Sequence, residues 1–263
     1  MILETSLSNA TTILAYRTFL ALAFLVQSGT SKAIVGNAPP PSPAMARHVV
    51  LITGSTGTFC TGAAIARDLV LTAGHCVDPR DSYKLIQFST DGTPVFLDVV
   101  SAMRHPQFDM KAFLNHRATA DVALLKLAKP LPAPYEAAAL APPNKTGAVG
   151  ERLTIAGYGV TVRGNGKTGG TLRAATLTVT GQPGALQIRL VDPATNNNAP
   201  GLGACTGDSG SPAFDANGAV VGVVSWSTAP QNEDGCGGLT GITPLVRYRA
   251  WVDEKARSFG LGR

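Results

Sequence analysis

Short runs of β-forming residues, repeated along most of the chain, limit its fold more than any other feature. Valine, isoleucine, leucine and threonine dominate these runs, and glycine, aspartate, asparagine or proline separates each run from the next. Such punctuation is typical of short strands joined by tight turns. About six runs lie between residues 48 and 127, and about six more lie between residues 152 and 246. The pattern therefore predicts an all-β chain.

A segment rich in proline and alanine, at residues 129–143, separates the two sets of runs. Such a segment is expected to cross the surface as a connection. We therefore predict two six-stranded antiparallel β-barrels, at 34–128 and 147–263, joined by a linker at 129–146. Only residues 248–259 combine apolar and charged residues at helical spacing, so that one C-terminal helix is expected.

The beginning of the chain has the pattern of an export signal. Arg17 precedes an apolar run at 19–26, and a polar stretch follows it. Ser31 and Ala33 place small residues at the two positions that a signal peptidase reads. The apolar run is too short to span a bilayer as a helix. We therefore predict that residues 1–33 are a signal peptide, and that the mature protein is secreted or periplasmic without stable membrane association.

Composition and spacing argue against several other classes of protein. The net charge is +5, but the basic residues are dispersed rather than clustered, which argues against a nucleic-acid partner. The four cysteines fit an oxidising compartment and two disulfides, for which three pairings are possible. The sequence contains no C-x-x-C pair, so that no zinc site is expected, and no other metal or cofactor is predicted.

Three segments carry residues that are suited to nucleophilic catalysis. His75 lies in Thr-Ala-Gly-His-Cys after an apolar run, Asp121 opens another apolar run, and Ser209 lies in the turn Cys-Thr-Gly-Asp-Ser-Gly-Ser-Pro. A serine hydroxyl is a poor nucleophile until a base removes its proton, and neutral imidazole suits that task near pH 7. A carboxylate bound to the other ring nitrogen holds the imidazole in the required orientation.

These segments, in the order His, Asp, Ser, resemble those of the trypsin/chymotrypsin family, and the resemblance covers nearly all of the chain beyond the predicted signal. It implies β-barrels of the trypsin/chymotrypsin type and a serine endopeptidase that cleaves proteins or peptides. Ser209 would be the nucleophile, His75 the general base and then acid, and Asp121 the group that orients the imidazole. The backbone N–H groups of Gly207 and Ser209 would form the oxyanion hole.

The resemblance also implies how the chain becomes active. In the family a new N-terminal amine, usually of Ile-Val-Gly-Gly, inserts beside the aspartate that precedes the catalytic serine. Ile34 begins Ile-Val-Gly-Asn directly after the predicted cleavage site, so that its ammonium is expected to pair with Asp208. The disulfides implied by the resemblance are Cys60–Cys76 and Cys205–Cys236.

The substrate pocket implied by the resemblance is uncharged. Gly203 stands at its base, where an acidic residue would select lysine or arginine. Ser225-Trp226-Ser227 resembles the wall strand that binds an extended peptide, with Ser227 in place of a glycine. Gly241 matches a second pocket glycine, although the alignment leaves a shift by one residue open. An apolar residue before the scissile bond is expected, with aromatic and small aliphatic side chains as alternatives.

Two other functions fit parts of the same pattern. A catalytically inactive family member would serve as a binding module, and phosphonylation of Ser209 would distinguish it from an enzyme. A lipase or esterase of the α/β-hydrolase class needs G-x-S-x-G and the order Ser, Asp, His, whereas Ser211 interrupts that motif here. The sequence does not indicate an oligomeric state.

Overall fold

The computed structural model describes residues 34–88, 92–183 and 186–259. The signal peptide predicted for residues 1–33 lies outside these ranges. Within them, no helix has the length and apolar character needed to cross a bilayer. The described ranges contain twelve strands and three α-helices, and the helices are α1 (Pro43–Ala46), α2 (Met110–Leu114) and α3 (Arg249–Ser258).

Six antiparallel strands close the first barrel. They are β1 (Val49–Gly54), β2 (Phe59–Ala66), β3 (Leu69–Thr72), β4 (Tyr83–Phe88), β5 (Pro94–Arg104) and β6 (Ala123–Leu127). Around the barrel the order is β1, β2, β3, β6, β5, β4, and β4 pairs again with β1. The side chains inside are apolar, such as Ile52, Val70 and Leu125, and their burial removes apolar surface from water. Closure leaves the barrel without an unpaired edge strand.

The second barrel repeats this arrangement later in the chain. Its strands are β7 (Arg152–Gly157), β8 (Arg173–Gly181), β9 (Ile188–Val191), β10 (Pro212–Phe214), β11 (Val220–Ser227) and β12 (Thr240–Pro244). The order around this barrel is β10, β11, β12, β9, β8, β7, and β7 closes on β10. Ile155, Leu177 and Ile242 lie in its core, where the side chain of Ile34 is also fully buried.

A further apolar cluster lies where the two barrels meet. Val49 and Leu71 of the first barrel belong to the same cluster as Phe214 of the second, and Val252 of α3 joins them. All four side chains are fully buried. Full burial of such a side chain contributes roughly 1.5–3 kcal/mol, so that this cluster holds the barrels and the last helix together.

The predicted fold class is confirmed, since the chain forms two six-stranded antiparallel barrels with a C-terminal helix. The helix predicted for residues 248–259 is α3. The sequence gives no signal for α2, because its five residues are too few to establish a helical period. It begins after Asp109, whose carboxylate accepts hydrogen bonds from the backbone N–H groups of Lys111 and Ala112.

Two disulfides join loops to the barrels. Cys60 of β2 is bonded to Cys76, and Cys205 is bonded to Cys236, which are the pairs that the family resemblance implies. The bonded residues are 16 and 31 positions apart in sequence, respectively. In the chain-entropy account, loops of this size each stabilise the folded state by roughly 3 kcal/mol.

Candidate active site

The turn that carries His75 is fixed from two sides. It is a single 3-10 turn at Gly74–Cys76, directly after β3. The Cys60–Cys76 disulfide joins it to β2, and Arg104 Nε donates a hydrogen bond to the Gly74 carbonyl at 3.0 Å. The backbone on both sides of His75 is therefore held, and the imidazole leaves the turn in a defined direction.

Asp121 lies just before β6 and accepts two hydrogen bonds from His75. Its Oδ2 accepts from Nδ1 at 2.9 Å, and its Oδ1 accepts from the backbone N–H at 2.8 Å. The hydroxyl of Ser225 donates a third hydrogen bond to Oδ2, at 2.5 Å. These donors replace water around a carboxylate that is 1% exposed. Because a carboxylate only accepts, the imidazole proton stays on Nδ1 and the lone pair on Nε2 is left to act as a base.

Ser209 lies in a turn that packs against the first barrel. The Thr61 N–H donates a hydrogen bond to the Ser209 carbonyl at 2.8 Å. A Cβ on Gly210 would lie 2.1 Å from Thr72 Oγ1, and the φ of +80° also favours glycine there. Gly210 therefore lets the serine turn approach the residues that lead into His75.

The hydroxyl of Ser209 is outside the hydrogen-bonded chain formed by His75, Asp121 and Ser225 in the part of the protein that the structure describes. The serine and the histidine lie on turns that contact each other, across the junction of the barrels. Hydrogen bonds between catalytic groups are often long before substrate binds and shorten in the complex. Proton transfer from Ser209 to His75 is therefore part of the proposal below.

Gly207 adopts a backbone conformation that requires glycine. Its φ is +93°, and a Cβ there would lie 2.6 Å from the Phe59 ring. Thr61 Oγ1 donates a hydrogen bond to the Gly207 carbonyl at 2.9 Å, which fixes the following peptide. Within the described ranges, neither the Gly207 N–H nor the Ser209 N–H donates to a protein group. Both N–H groups are therefore available to a negatively charged oxygen.

Asp208 is fully buried and has no cation bonded to it among the described residues. Its Oδ1 accepts a hydrogen bond from the Gly159 N–H at 2.8 Å, and its Oδ2 accepts from the Cys205 N–H at 2.9 Å. Burial raises the pKa of the Asp208 carboxyl to about 7, although the two N–H donors oppose this effect. A buried carboxyl in this state would gain from a positive partner.

Ile34 and Val35 lie beside the loop that leads to the nucleophile turn. The Val35 N–H donates a hydrogen bond to the Gly203 carbonyl at 3.1 Å, in an isolated antiparallel bridge. A Cβ on Gly36 would lie 2.6 Å from the Gly201 carbonyl oxygen, so that glycine is needed for this approach. The segment predicted to become the N-terminus is thus packed into the second barrel. A contact between Ile34 and Asp208 stays a prediction.

The predicted pocket residues divide into two groups. A Cβ on Gly203 would lie 3.4 Å from Thr240 Oγ1, and Thr240 is directly opposite Ser227 in the pairing of β11 with β12. Gly241 is opposite Trp226, and a Cβ there would lie 2.0 Å from the indole ring. The side chain of β12 that faces Gly203 therefore belongs to Thr240, while Gly241 provides space for the indole.

Comparison with known proteins connects this geometry to a family. The family model described as Trypsin matches residues 34–252. The chain belongs to the trypsin family. Trypsin-3 of Salmo salar is 27% identical to this trypsin-family chain over 212 residues, which cover 76% of the chain and 84% of that protein. Serine protease 1 of Homo sapiens is 27% identical over 247 residues, which cover 89% of the chain and 94% of that protein.

A solved structure supports the same fold. The structure of human heparin binding protein matches this trypsin-family chain with a TM-score of 0.67, over 84% of the chain and 96% of that structure. The sequences are 22% identical. At that identity the likeness concerns the arrangement of the two barrels and carries no argument about activity.

Three potential metal ligands also lie together in this trypsin-family site. One ligand atom from each of Cys60, Cys76 and His75 falls within 4.8 Å of the others. Both sulfur atoms belong to the disulfide, so that neither can offer the thiolate that metal binding needs. His75 instead donates Nδ1–H to Asp121, and this cluster does not fit a metal ion.

The site contains two residues that the sequence analysis does not identify. Thr240 faces Gly203, the predicted pocket base, because β12 pairs with β11 in a register that places it opposite Ser227. Phe113 of α2 stacks on the His75 ring, with ring centroids 4.3 Å apart and planes 13° apart. The sequence offers a clue to Thr240, because the match of Gly241 to the second pocket glycine leaves a shift by one residue open. No local pattern points to Phe113.

Proposed function

We propose that this chain is an exported serine endopeptidase that cleaves peptide bonds through His75, Asp121 and Ser209. The observation that carries the proposal is the pair of hydrogen bonds from His75 to Asp121, beside a glycine-rich turn that contains Ser209. The hydrogen bond at Nδ1 leaves His75 Nε2 free to act as a base, and the turn with Ser209 packs against the residues that lead into His75. Membership of the trypsin family supports the same reaction class.

The chemistry proceeds in two halves. His75 Nε2 takes the Ser209 proton while Oγ forms a bond to the substrate carbonyl carbon. The resulting oxyanion accepts hydrogen bonds from the Gly207 and Ser209 N–H groups. The imidazolium then gives its proton to the departing amine as the C–N bond breaks, which leaves an acyl-enzyme. Water attacks the ester with the same base, and the carboxylic acid and free Ser209 are released.

The pocket favours a small uncharged residue before the scissile bond. Gly203 gives the base no charge, and Thr240 and Ser227 project from opposite positions on neighbouring strands. In this proposal the Thr240 side chain, which faces Gly203, limits the room at the base, so that of the two alternatives the small aliphatic one is favoured. Selectivity based on shape amounts to roughly 1–3 kcal/mol per methylene. The strand Ser225–Ser227 would bind the substrate backbone as an added β-strand.

Removal of residues 1–33 would activate the enzyme. The new ammonium of Ile34 would pair with Asp208, whose carboxyl is buried and bonded to no cation among the residues that the structure describes. Breaking a buried pair of this kind typically costs about 3–5 kcal/mol. N-terminal sequencing of the exported protein should begin at Ile34, and any other start would contradict this part of the proposal.

Purified protein that begins at Ile34 provides the decisive test. We expect it to react with a fluorophosphonate at Ser209 and to digest a denatured protein at small aliphatic residues. The Ser209→Ala variant should fold equally well and do neither. A folded protein that digests nothing and resists the fluorophosphonate would overturn the proposal and favour a binding module instead.

A further inference from the structure

The ring of Phe113 covers one face of the His75 imidazole. The two centroids are 4.3 Å apart, and the planes are inclined by only 13°, which is a stacked arrangement. A second constraint comes from Asp121, whose Oδ2 accepts a hydrogen bond from Nδ1 at 2.9 Å. The hydrogen bond to Asp121 alone would still permit the imidazole to rotate about the Nδ1–Oδ2 direction. With the stacked ring of Phe113, the imidazole is held both at its edge and on one face.

The position of Phe113 is itself supported by neighbouring side chains. It lies on α2, whose first turn is capped by Asp109. Its ring centroid is 6.2 Å from that of Phe108, and the Arg104 guanidinium carbon lies 5.1 Å from the Phe108 centroid. Arg104 also donates to the carbonyl of Gly74, the residue before His75. A continuous set of contacts therefore connects α2 with the turn that carries the imidazole.

We propose that Phe113 is a positioning residue that keeps the His75 imidazole in its productive orientation during proton transfer. The inference rests on the proposed function, and it assigns to α2 a role in the reaction. A stacked aromatic ring restricts rotation of the imidazole and keeps water from one face. The negative face of the phenyl ring also tolerates the positive charge that the imidazole acquires when it takes the Ser209 proton. The charged groups bonded to this turn act elsewhere, since Asp121 accepts from Nδ1 and Arg104 donates to the Gly74 carbonyl.

The position alone does not require this role, because an aromatic ring also fills space. Ring-specific variants separate the two explanations. Phe113→Tyr and Phe113→Trp keep a flat aromatic face, whereas Phe113→Leu keeps an apolar side chain without a ring. Leu114→Ala is the matched control, since Leu114 lies on the same helix and is 68% exposed.

Steady-state kinetics of the protein that begins at Ile34 give the first test. We expect Phe113→Ala and Phe113→Leu to lower kcat by about 2- to 10-fold with little change in KM, in line with the strength of one aromatic pair. Phe113→Tyr should restore kcat to within about 2-fold, and Leu114→Ala should match the wild type. Equal kcat values for Phe113→Leu and the wild type would overturn the proposal.

Chemical modification gives a second test that needs no turnover. Diethyl pyrocarbonate acylates neutral imidazole nitrogens, and peptide mass spectrometry can follow His75 with His48 as an internal reference. In a Ser209→Ala background, Phe113→Ala should increase the reaction rate of His75 relative to His48 by about 2- to 10-fold. An unchanged ratio of the His75 rate to the His48 rate would contradict the proposal that Phe113 constrains the His75 ring. Absence of proteolysis in the wild type would instead count against the proposed function, and the modification ratio would still report on the stack.

Discussion

Ser225 and Asp121 are hydrogen-bonded across the junction of the two barrels. The serine belongs to β11 of the second barrel, and the aspartate precedes β6 of the first. The oxygen that accepts from the Ser225 hydroxyl is also the one that accepts from His75 Nδ1. The second barrel therefore helps to orient a carboxylate that the first barrel supplies.

Loss of this hydroxyl should weaken both folding and catalysis. Ser225→Ala leaves a buried carboxylate with one donor fewer, which is expected to cost about 1–3 kcal/mol in the free energy of unfolding. We also expect a fall in kcat, because Asp121 orients the imidazole less firmly. Urea unfolding and steady-state kinetics measure both effects. Ser227→Ala on the same strand is the control for unfolding alone, and a Ser225→Ala variant as stable as that control would contradict the expectation.

The stability of the chain that retains residues 1–33 should depend on Asp208 and pH. The pKa of the Asp208 carboxyl in the folded state is about 7, above the ordinary 3.8. The folded protein therefore binds the proton of this carboxyl more tightly than the unfolded protein does. The contribution of Asp208 is therefore most favourable below pH 4 and is lost as the pH rises through 7. The change over that range amounts to roughly 4 kcal/mol.

The measurement compares Asp208→Asn with the parent in a Ser209→Ala background, by urea unfolding between pH 4.5 and 8.5. We expect the stability of the parent relative to Asp208→Asn to decrease as the pH rises. In protein that begins at Ile34, the ammonium should remove this decrease, because it pairs with the ionised carboxylate. A stability difference that stays constant with pH before processing would be inconsistent with the buried, unpaired carboxyl.

Substitution of Gly207 should remove one oxyanion donor. A Cβ in Gly207→Ala would meet the Phe59 ring, and the φ of +93° is unfavourable for alanine. We expect kcat to fall by about 10²- to 10³-fold, since the peptide N–H would move from its position. Gly150→Ala is a matched control, because Gly150 has a φ of +86° with open space around it. Equal kcat values for the two variants would argue against a role for the Gly207 N–H.

Enlarging the pocket at Thr240 should change the preferred substrate. Thr240→Gly removes the side chain that faces Gly203, and we expect kcat/KM for an aromatic residue before the scissile bond to rise by at least about 10-fold relative to alanine. Thr240→Ser tests the methyl group alone, because it keeps the hydroxyl that accepts a hydrogen bond from the Ala204 N–H. A ratio that does not change in Thr240→Gly would show that another residue limits the pocket.

Local patterns were sufficient to predict the strands and the segments around His75, Asp121 and Ser209. Each strand is a continuous run of β-forming residues ended by turn residues. Both signals come from residues only a few positions apart in the sequence. Each catalytic candidate lies in a short segment whose residue types serve one reaction. Such information can be read from neighbours along the chain, without knowledge of how the barrels pack.

Contacts between distant segments explain what the sequence did not reveal. Thr240 rather than Gly241 faces Gly203 because pairing of β12 with β11 fixes the direction of alternate side chains. Phe113 reaches His75 only after α2 folds back over a turn that lies far earlier in the chain. Neither relationship depends on a local motif, so that composition and spacing could not have specified them.

The apolar cluster shared by Val49, Phe214 and Val252 has a consequence for regulation of activity. His75 and Asp121 come from one barrel and Ser209 from the other, so that neither barrel contains the complete proposed triad. A small shift of one barrel against the other would separate Ser209 from His75, while the hydrogen bonds within each barrel stayed intact. Partial denaturation should therefore abolish the proposed proteolysis before most of the backbone is exposed.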